Sequence, residues 1–200
     1  MIRAFLFDIG NVLLKFDFNI ALRRLAERGE VSDPVDVVAR IDQIKLAYED
    51  GQMDRAAFLR GAFDVLRYRG TEAEFIAGWE DIFVPNEPMV ALVEKLHGRF
   101  PLYLLSNTSD IHREYVFRQY PFFQCFTAGT YSYEARASKP NRAIYEIAQH
   151  QLGLEPAATF FIDDLLPNIE TARALGFLTH HYHYDQHPAL LAQLAAAGVK

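Results

Sequence analysis

The second half of this sequence alternates between short apolar runs and stretches of helical periodicity, and this alternation restricts the fold more than any other feature. The apolar runs are PLYLLS, CFTAG, TFFID and FLTHHYHY. Strands separated by helices of about ten residues are typical of a parallel sheet with right-handed crossovers. The N-terminal run from Ile2 to Phe7 lacks polar alternation, which predicts a further strand buried on both faces. We therefore predict an α/β core.

Helical periodicity extends through residues 19–79, between the first strand and the others. We find no strand pattern in this stretch, and Asp33 before a proline is the predicted N-cap of one of its helices. The sequence therefore predicts a core made of residues 1–15 and 86–200. A small all-helical unit, residues 16–85, is inserted after the first strand.

Composition excludes several classes of protein. Half of the 200 residues are hydrophobic, the net charge is -6, and no basic block is present, so we expect no nucleic-acid partner. The single cysteine, Cys125, cannot form an internal disulfide, which fits a reducing compartment. No apolar run approaches the ~20 residues of a membrane span, and Asp8 interrupts the N-terminal run, so we expect neither a membrane segment nor a secretion signal. The expected location is the cytoplasm.

Polar residues stand at the predicted carboxyl ends of the strands, which is the edge where open parallel sheets bind ligands. These residues are Asp8 after the first strand, Ser106 and Asn107 after PLYLL, the pair Asp163 and Asp164 after TFFI, and Lys139 in the loop SKP. Because these segments meet at one edge of the sheet, we expect their side chains to surround a common site.

Three carboxylates at one site repel each other unless a cation neutralises them. Magnesium prefers oxygen ligands, and the backbone carbonyl of Gly10 can add one to Asp8, Asp163 and Asp164. The metal and Lys139 would together attract a phosphate group, whose oxygens Ser106 and Asn107 can bind by hydrogen bonds. The residues therefore predict a Mg²⁺ site next to a phosphate site.

The segments FDIGNVL, LLSNT, SKP and FIDD occur in the order of the motifs of the haloacid dehalogenase-like hydrolase superfamily, which the chain resembles over nearly its whole length. The resemblance implies a Rossmann-like core, a small helical cap of the C1 type, and a magnesium-dependent phosphatase. It also implies that Asp8 is the nucleophile and a metal ligand, and that Gly10 and Asp164 bind the metal, with Asp163 binding directly or through water. Ser106 and Lys139 would complete the catalytic set, and Asn107 would contact the substrate.

One position departs from the usual pattern of the superfamily. Most of its phosphatases have a second aspartate, which serves as general acid and base, where this chain has Gly10 in a D-x-G-N-V motif. Such a group accelerates a reaction by roughly 100- to 10,000-fold. Three explanations stay open: another group such as Asp17 replaces it, the substrate has a good leaving group, or the protein turns over slowly and mainly binds its ligand.

The expected function is hydrolysis of a small phosphorylated metabolite, with a sugar phosphate as one candidate, by a monomer or homodimer. The alternatives are a weakly catalytic phosphate-binding or regulatory protein, favoured by Gly10, and a 2-haloacid dehalogenase. In the predicted cap, Lys45, Tyr48 and Glu49 are candidates for substrate contact, although a solvated helix face is the preferred interpretation.

Overall fold

A computed structural model describes residues 1–30 and 34–199 of the chain. Its strands are β1 (Ala4–Phe7), β2 (Leu14–Phe16), β3 (Phe83–Pro85), β4 (Leu102–Ser106), β5 (Ala128–Tyr131), β6 (Thr159–Asp163) and β7 (Leu178–His181). Its α-helices are α1 (Phe18–Ala26), α2 (Pro34–Glu49), α3 (Arg55–Leu66), α4 (Glu72–Glu80), α5 (Glu87–Leu96), α6 (Asp110–Gln119), α7 (Ser132–Ala135), α8 (Arg142–Leu152), α9 (Leu166–Ala174) and α10 (His187–Ala196). None of the helices in these two ranges is long and apolar enough to cross a membrane.

The central sheet is parallel and has five strands in the order β5-β4-β1-β6-β7, so the predicted α/β fold is confirmed. Strand β1 is central because the chain continues outward on one side through β4 and β5 and on the other through β6 and β7. Phe7 lies opposite Leu104 on β4 and Ile162 on β6. The strand order therefore changes direction at β1 although all strands stay parallel, and doubly wound sheets bind ligands in the crevice at such a point.

Both faces of the sheet are buried. On β1, Phe5 and Phe7 belong to the apolar cluster on one face, and Leu6 belongs to the cluster on the other face. The same alternation occurs on β6, where Phe160 and Phe161 point to opposite clusters. Because side chains alternate along a strand, burial on both faces requires the continuous apolar runs seen in the sequence.

Helices α1 to α4 form an apolar cluster of their own. Its centre contains Phe58, Phe75 and Trp79, which are buried and in ring contact with one another. Ile111 at the start of α6 also belongs to this cluster, so the helical unit packs against the core at that point. Thr71 and Glu74 form a capping box at the start of α4. The predicted N-cap Asp33 lies outside the described residues.

The helical unit 16–85 is not helical at its two ends, where the sequence analysis found no strand. Strands β2 and β3 form an antiparallel ribbon in which Lys15 lies opposite Val84 and Phe16 lies opposite Phe83. Strands of three residues are too short to show an alternating pattern, and the two partners are far apart in the sequence. The ribbon brings the entry and exit of the helical unit together beside the end of β1.

Other element boundaries also differ from the prediction. The segment CFTAG was predicted as a strand, but residues Pro121–Cys125 form a 3-10 turn and β5 starts at Ala128. The predicted last strand FLTHHYHY is shortened to Leu178–His181. The short helix α7 was not predicted, because four residues carry no helical period.

We expect Leu104→Ala to lower the free energy of unfolding by about 2–5 kcal/mol, because it removes a fully buried side chain from the middle of the sheet. Leu191→Ala is the matched control. That residue is 44% exposed on α10, and its truncation should change the free energy by less than about 0.5 kcal/mol. Urea denaturation of both variants measures the difference. Equal losses would contradict the assignment of Leu104 to the core.

Candidate active site

Asp8 follows β1 directly and is fixed by contacts on both sides. Its backbone N–H donates to the carbonyl of Ile162 on the neighbouring strand, at 3.0 Å. Its Oδ1 accepts hydrogen bonds from the backbone N–H of Ile9 at 2.7 Å and from Lys139 Nζ at 2.9 Å. The carboxylate is buried. It therefore has a defined orientation at the end of the central strand.

The loop after Asp8 turns back towards the ribbon. Gly10 forms an isolated bridge with Leu14, and Asn11 has a positive φ of 52°, a conformation that asparagine tolerates better than most residues. The Nδ2 of Asn11 donates to Oδ2 of Asp164 at 3.1 Å. The NV dipeptide of the first motif thus contributes a contact between this loop and the end of β6, which the sequence analysis missed.

Asp163 and Asp164 at the end of β6 have different surroundings. Asp163 is completely buried, and its Oδ1 accepts from the Leu165 backbone N–H at 2.9 Å and from Asn168 Nδ2 at 2.8 Å. Asp164 is less buried and lines the cavity described below, while its backbone carbonyl accepts a hydrogen bond from His181 Nε2 at 2.8 Å. Asp163 therefore faces inward, and Asp164 faces the cavity.

Lys139 lies between two of these carboxylates. Its Nζ is 2.9 Å from Asp8 Oδ1 and 2.7 Å from Asp163 Oδ2, and its side chain is only 1% exposed. Its backbone is held by Asn107, whose Oδ1 accepts from the Lys139 N–H at 2.8 Å and whose Nδ2 donates to the Lys139 carbonyl at 2.9 Å. Both polar atoms of the Asn107 side chain thus orient the lysine loop. The predicted contact of Asn107 with substrate stays a prediction.

The last residue of β4 is the remaining predicted site residue. Ser106 is buried and lines the same cavity as Asp8 and Lys139. The next turn is fixed from α7, because Ser132 Oγ accepts from the Thr108 N–H at 2.9 Å and donates to the Thr108 carbonyl at 3.2 Å. The predicted site residues are therefore close together at the carboxyl edge of the sheet.

The three carboxylates form a compact acidic cluster. One oxygen each of Asp8, Asp163 and Asp164 can be chosen so that all three lie within 4.8 Å of one another. Burial and the two neighbouring carboxylates, opposed by Lys139, raise the pKa of Asp8 to about 7. Contacts with Asp163 and Asp8 outweigh the effect of burial on Lys139 and raise its pKa above the usual value. A set of oxygen donors with more negative than positive charge fits a hard divalent cation such as Mg²⁺.

Gly10 lines the cavity next to this cluster, and the ring of Phe16 lies against it. A Cβ added at position 10 would lie 2.8 Å from Cε1 of Phe16, closer than carbon atoms pack. A side chain at this position would therefore require the Phe16 ring to move. The ribbon strand β2 thus supplies a physical reason for glycine in the first motif, in addition to the access that it leaves to the backbone carbonyl.

The cavity above the cluster has a volume of about 300 Å³. Its walls include the aromatic rings of Phe16, Phe18 and Phe83, and α2 contributes Lys45 and Glu49. The preferred prediction of a solvated helix face was therefore wrong for these two residues. Lys45 and Glu49 follow the buried Ile41 by four and eight residues, and this helical spacing is the signal that could have placed them on an inward face.

Two other predicted candidates lie away from the cavity wall. Tyr48 is buried and its hydroxyl donates to Asp110 on α6, so it fixes α2 to the core. Asp17 is the N-cap of α1, where its carboxylate accepts from the Asn19 N–H at 2.9 Å. Hydrogen bonds from Asn19 lower the pKa of Asp17, which disfavours the protonated form that a general acid needs.

The chain belongs to the haloacid dehalogenase-like hydrolase family, whose model matches residues 2–176. The D-ribitol-5-phosphate phosphatase of Bacteroides thetaiotaomicron is 25% identical over 193 residues, which cover 90% of this chain and 91% of that protein. A HAD family enzyme of the same organism, crystallised as a complex with magnesium and inorganic phosphate, is 28% identical with a TM-score of 0.81, and the match covers 90% of this chain and 93% of that one.

A third similar structure is described as a predicted HAD-like family hydrolase from Porphyromonas gingivalis. It is 25% identical with a TM-score of 0.80, and the match covers 97% of this chain and 98% of that one. The acidic cluster and Lys139 are therefore found in a chain that is similar to HAD-type hydrolases in sequence and in fold.

We expect Lys139→Met to lower the free energy of unfolding by about 3–5 kcal/mol, because it leaves Asp8 and Asp163 buried without their cation. The control is Lys95→Met, an exposed residue of α5, which should change the free energy by less than about 0.5 kcal/mol. Urea denaturation measures both. If the two variants were equally stable, the ion pairs of Lys139 would not be important for the fold.

Proposed function

We propose that this protein is a Mg²⁺-dependent phosphatase that hydrolyses a small phosphorylated metabolite through an aspartyl-phosphate on Asp8. The observation that carries the proposal is the contact of Asp8 with Lys139 inside a three-carboxylate cluster at the end of a cavity. The similarity to a D-ribitol-5-phosphate phosphatase, and to an enzyme crystallised with magnesium and inorganic phosphate, supports the same reaction.

Asp8, Asp164 and the carbonyl of Gly10 would hold the metal, with Asp163 contributing directly or through water. Magnesium would supply positive charge that reduces the repulsion between a carboxylate nucleophile and a phosphate dianion. The donors are all oxygen atoms and come from the ends of two adjacent strands, which is the chemistry that Mg²⁺ requires.

The protein's own residues perform the substitution. Oδ1 of Asp8 accepts hydrogen bonds from Ile9 and Lys139, so Oδ2 is the oxygen that attacks phosphorus in the proposed reaction. Lys139 is a compact cation that can follow the phosphate oxygens as their positions change. The Ser106 hydroxyl donates a hydrogen bond to one of those oxygens. Asn107 keeps Lys139 in position through its backbone.

The proposed division of the chain into a core (1–15 and 86–200) and a cap (16–85) explains how water is excluded. The cap supplies Phe16, Phe18, Lys45 and Glu49 to the cavity lining, and the ends of the core strands supply Asp8, Ser106 and Asp164. A volume of about 300 Å³ is at the lower limit of small-molecule sites, which favours a metabolite with few carbon atoms. A sugar or polyol phosphate is the substrate class that we propose.

Assays of phosphate release and chloride release distinguish the proposed phosphatase from two alternative functions. Gly10 favours a weakly catalytic phosphate-binding protein, which would bind inorganic phosphate without turnover. The acidic cluster disfavours a 2-haloacid dehalogenase, because three carboxylates oppose the binding of a carboxylate substrate. Chloride release from 2-chloropropionate in the absence of added metal would instead support dehalogenation.

We expect phosphate release from small phosphomonoesters in the presence of Mg²⁺ and its loss when a chelator is added. Asp8→Asn should lower the rate by at least about 1,000-fold, because the variant has no nucleophile. Asp185→Asn, at an exposed position in the turn before α10, should retain the wild-type rate. A malachite-green assay over a panel of sugar, polyol and aryl phosphates measures all of these rates. Chelator-insensitive release, or a fully active Asp8→Asn variant, would contradict the mechanism.

A further inference from the structure

Cleavage of an alkyl phosphate requires a proton for the departing oxygen, and position 10 cannot supply one. Gly10 has no side chain, and the ring of Phe16 occupies the space where a side chain would begin. Asp17 is engaged as the N-cap of α1. If the site performs this reaction on ordinary esters, another group lining the cavity must donate the proton.

The cavity offers few titratable groups. Among the described residues that line it, they are Asp8, Lys45, Glu49, His112, Lys139 and Asp164. Asp8, Lys139 and Asp164 belong to the acidic cluster and its counter-ion. Burial lowers the pKa of His112 to about 4, and its Nε2 is 3.2 Å from the carbonyl oxygen of Trp79, to which it donates. His112 therefore stays neutral near pH 7, with its ring N–H already bonded.

Lys45 is also engaged by other groups. Its Nζ lies 4.0 Å above the centre of the Phe18 ring and 3.5 Å from Asp42 Oδ1. Glu49, one helical turn further along α2, lines the same cavity, and it is the lining carboxyl of the described residues that the acidic cluster does not include. Glu49 is therefore the carboxyl that remains for proton transfer.

The end of α2 is anchored directly beside the catalytic lysine. Asp50 accepts a hydrogen bond from the hydroxyl of Ser138, the residue before Lys139. Gly51 packs so closely on the core that a Cβ there would collide with the carbonyl oxygen of Tyr133. Because Glu49 immediately precedes these two contacts, its position relative to Lys139 is fixed by the fold.

We propose that Glu49 is the general acid and base of this site and performs the proton transfers that position 10 cannot perform. The inference rests on the proposed phosphatase function. Glu49 lines the cavity from the helical unit and Asp8 lines it from the end of β1. In the proposed complex, a phosphomonoester binds with its phosphorus towards Asp8 and its ester oxygen towards Glu49.

The surroundings of Glu49 suit both directions of proton transfer. Burial raises its pKa to about 7, although Lys45 lowers it. A carboxyl with a pKa near the working pH can donate a proton in one step and accept one in the next. Lys45 at the i-4 position stabilises the carboxylate that remains after the proton has left.

The proposed reaction has two steps, the formation and the hydrolysis of the aspartyl-phosphate. In the first step, Asp8 Oδ2 forms a bond to phosphorus, the bond from phosphorus to the ester oxygen breaks, and this oxygen takes the proton of Glu49 and departs as an alcohol. In the second step, a water oxygen attacks phosphorus and transfers a proton to the Glu49 carboxylate. Phosphate leaves, Asp8 returns to the carboxylate form, and Glu49 is protonated again.

The test compares two esters that differ in the need for a proton. Nitrophenolate departs unprotonated, whereas ethoxide does not, so a missing acid affects ethyl phosphate far more than p-nitrophenyl phosphate. We expect Glu49→Gln to lower kcat/KM for ethyl phosphate by about 100- to 10,000-fold, but by less than about tenfold for p-nitrophenyl phosphate. The ratio kcat/KM reports the steps up to the departure of the alcohol, so the hydrolysis of the aspartyl-phosphate does not enter it.

Stopped-flow measurement gives a second signature. Glu49→Gln should release one equivalent of nitrophenolate rapidly and then turn over slowly, because the second step has lost its base. Glu72, an exposed glutamate in the first turn of α4, provides the matched control. The Glu72→Gln variant should have the wild-type kcat/KM for both ethyl phosphate and p-nitrophenyl phosphate. Glu49→Asp keeps the carboxyl and should recover part of the ethyl phosphate activity.

Each other outcome is decisive. An equal loss for both esters, or no loss for either, would overturn the assignment of Glu49 and leave the phosphatase function intact. A wild-type protein that releases phosphate with Mg²⁺ from neither ester, nor from any sugar or polyol phosphate of the panel, would overturn the proposed function and the role of Glu49 together.

Discussion

The two buried ion pairs of Lys139, with Asp8 and with Asp163, hold the site together. The ammonium joins Asp8 at the end of β1 to Asp163 at the end of β6, in an environment almost without solvent. A buried cation between two carboxylates is stable only if its partners are held in place. Asn107 holds the lysine backbone, and Asn168 holds Asp163. One ammonium among three carboxylates leaves a surplus of negative charge, and this surplus is what favours a metal ion next to Asp8.

The helical unit is fixed to this site at several points. The ribbon of β2 and β3 joins its two ends. Helix α2 is attached to the core through Tyr48 and Asp110, and through Asp50 and Ser138. The second of these contacts reaches the residue next to Lys139. The loop that carries Lys139 therefore also contacts the end of the helix that contributes Lys45 and Glu49 to the cavity lining.

The combination of Gly10, Phe16 and Glu49 gives a physical meaning to the departure of the first motif from the usual pattern. An aromatic ring packs on the position where most related phosphatases have their acid, and α2 contributes a glutamate to the cavity lining. In the proposed reaction, the nucleophile and the proton donor then belong to different parts of the chain. Proton transfer becomes dependent on the packing of α2 against the core, as an acid on the core strand would not be.

The α/β fold, the approximate strands, and the grouping of Asp8, Ser106 and Asp164 at strand ends with Lys139 from the loop SKP could all be predicted from the sequence. This was possible because continuous apolar runs and strand-end charges are local patterns. The β2–β3 ribbon, the difference between Asp163 and Asp164, and the side of α2 that faces the cavity became visible in the three-dimensional structure alone. These depend on contacts between residues far apart in the chain, which give no periodic signal. Glu49, on a predicted solvated face, lines the cavity because Tyr48, Asp50 and Gly51 dock α2 on the core.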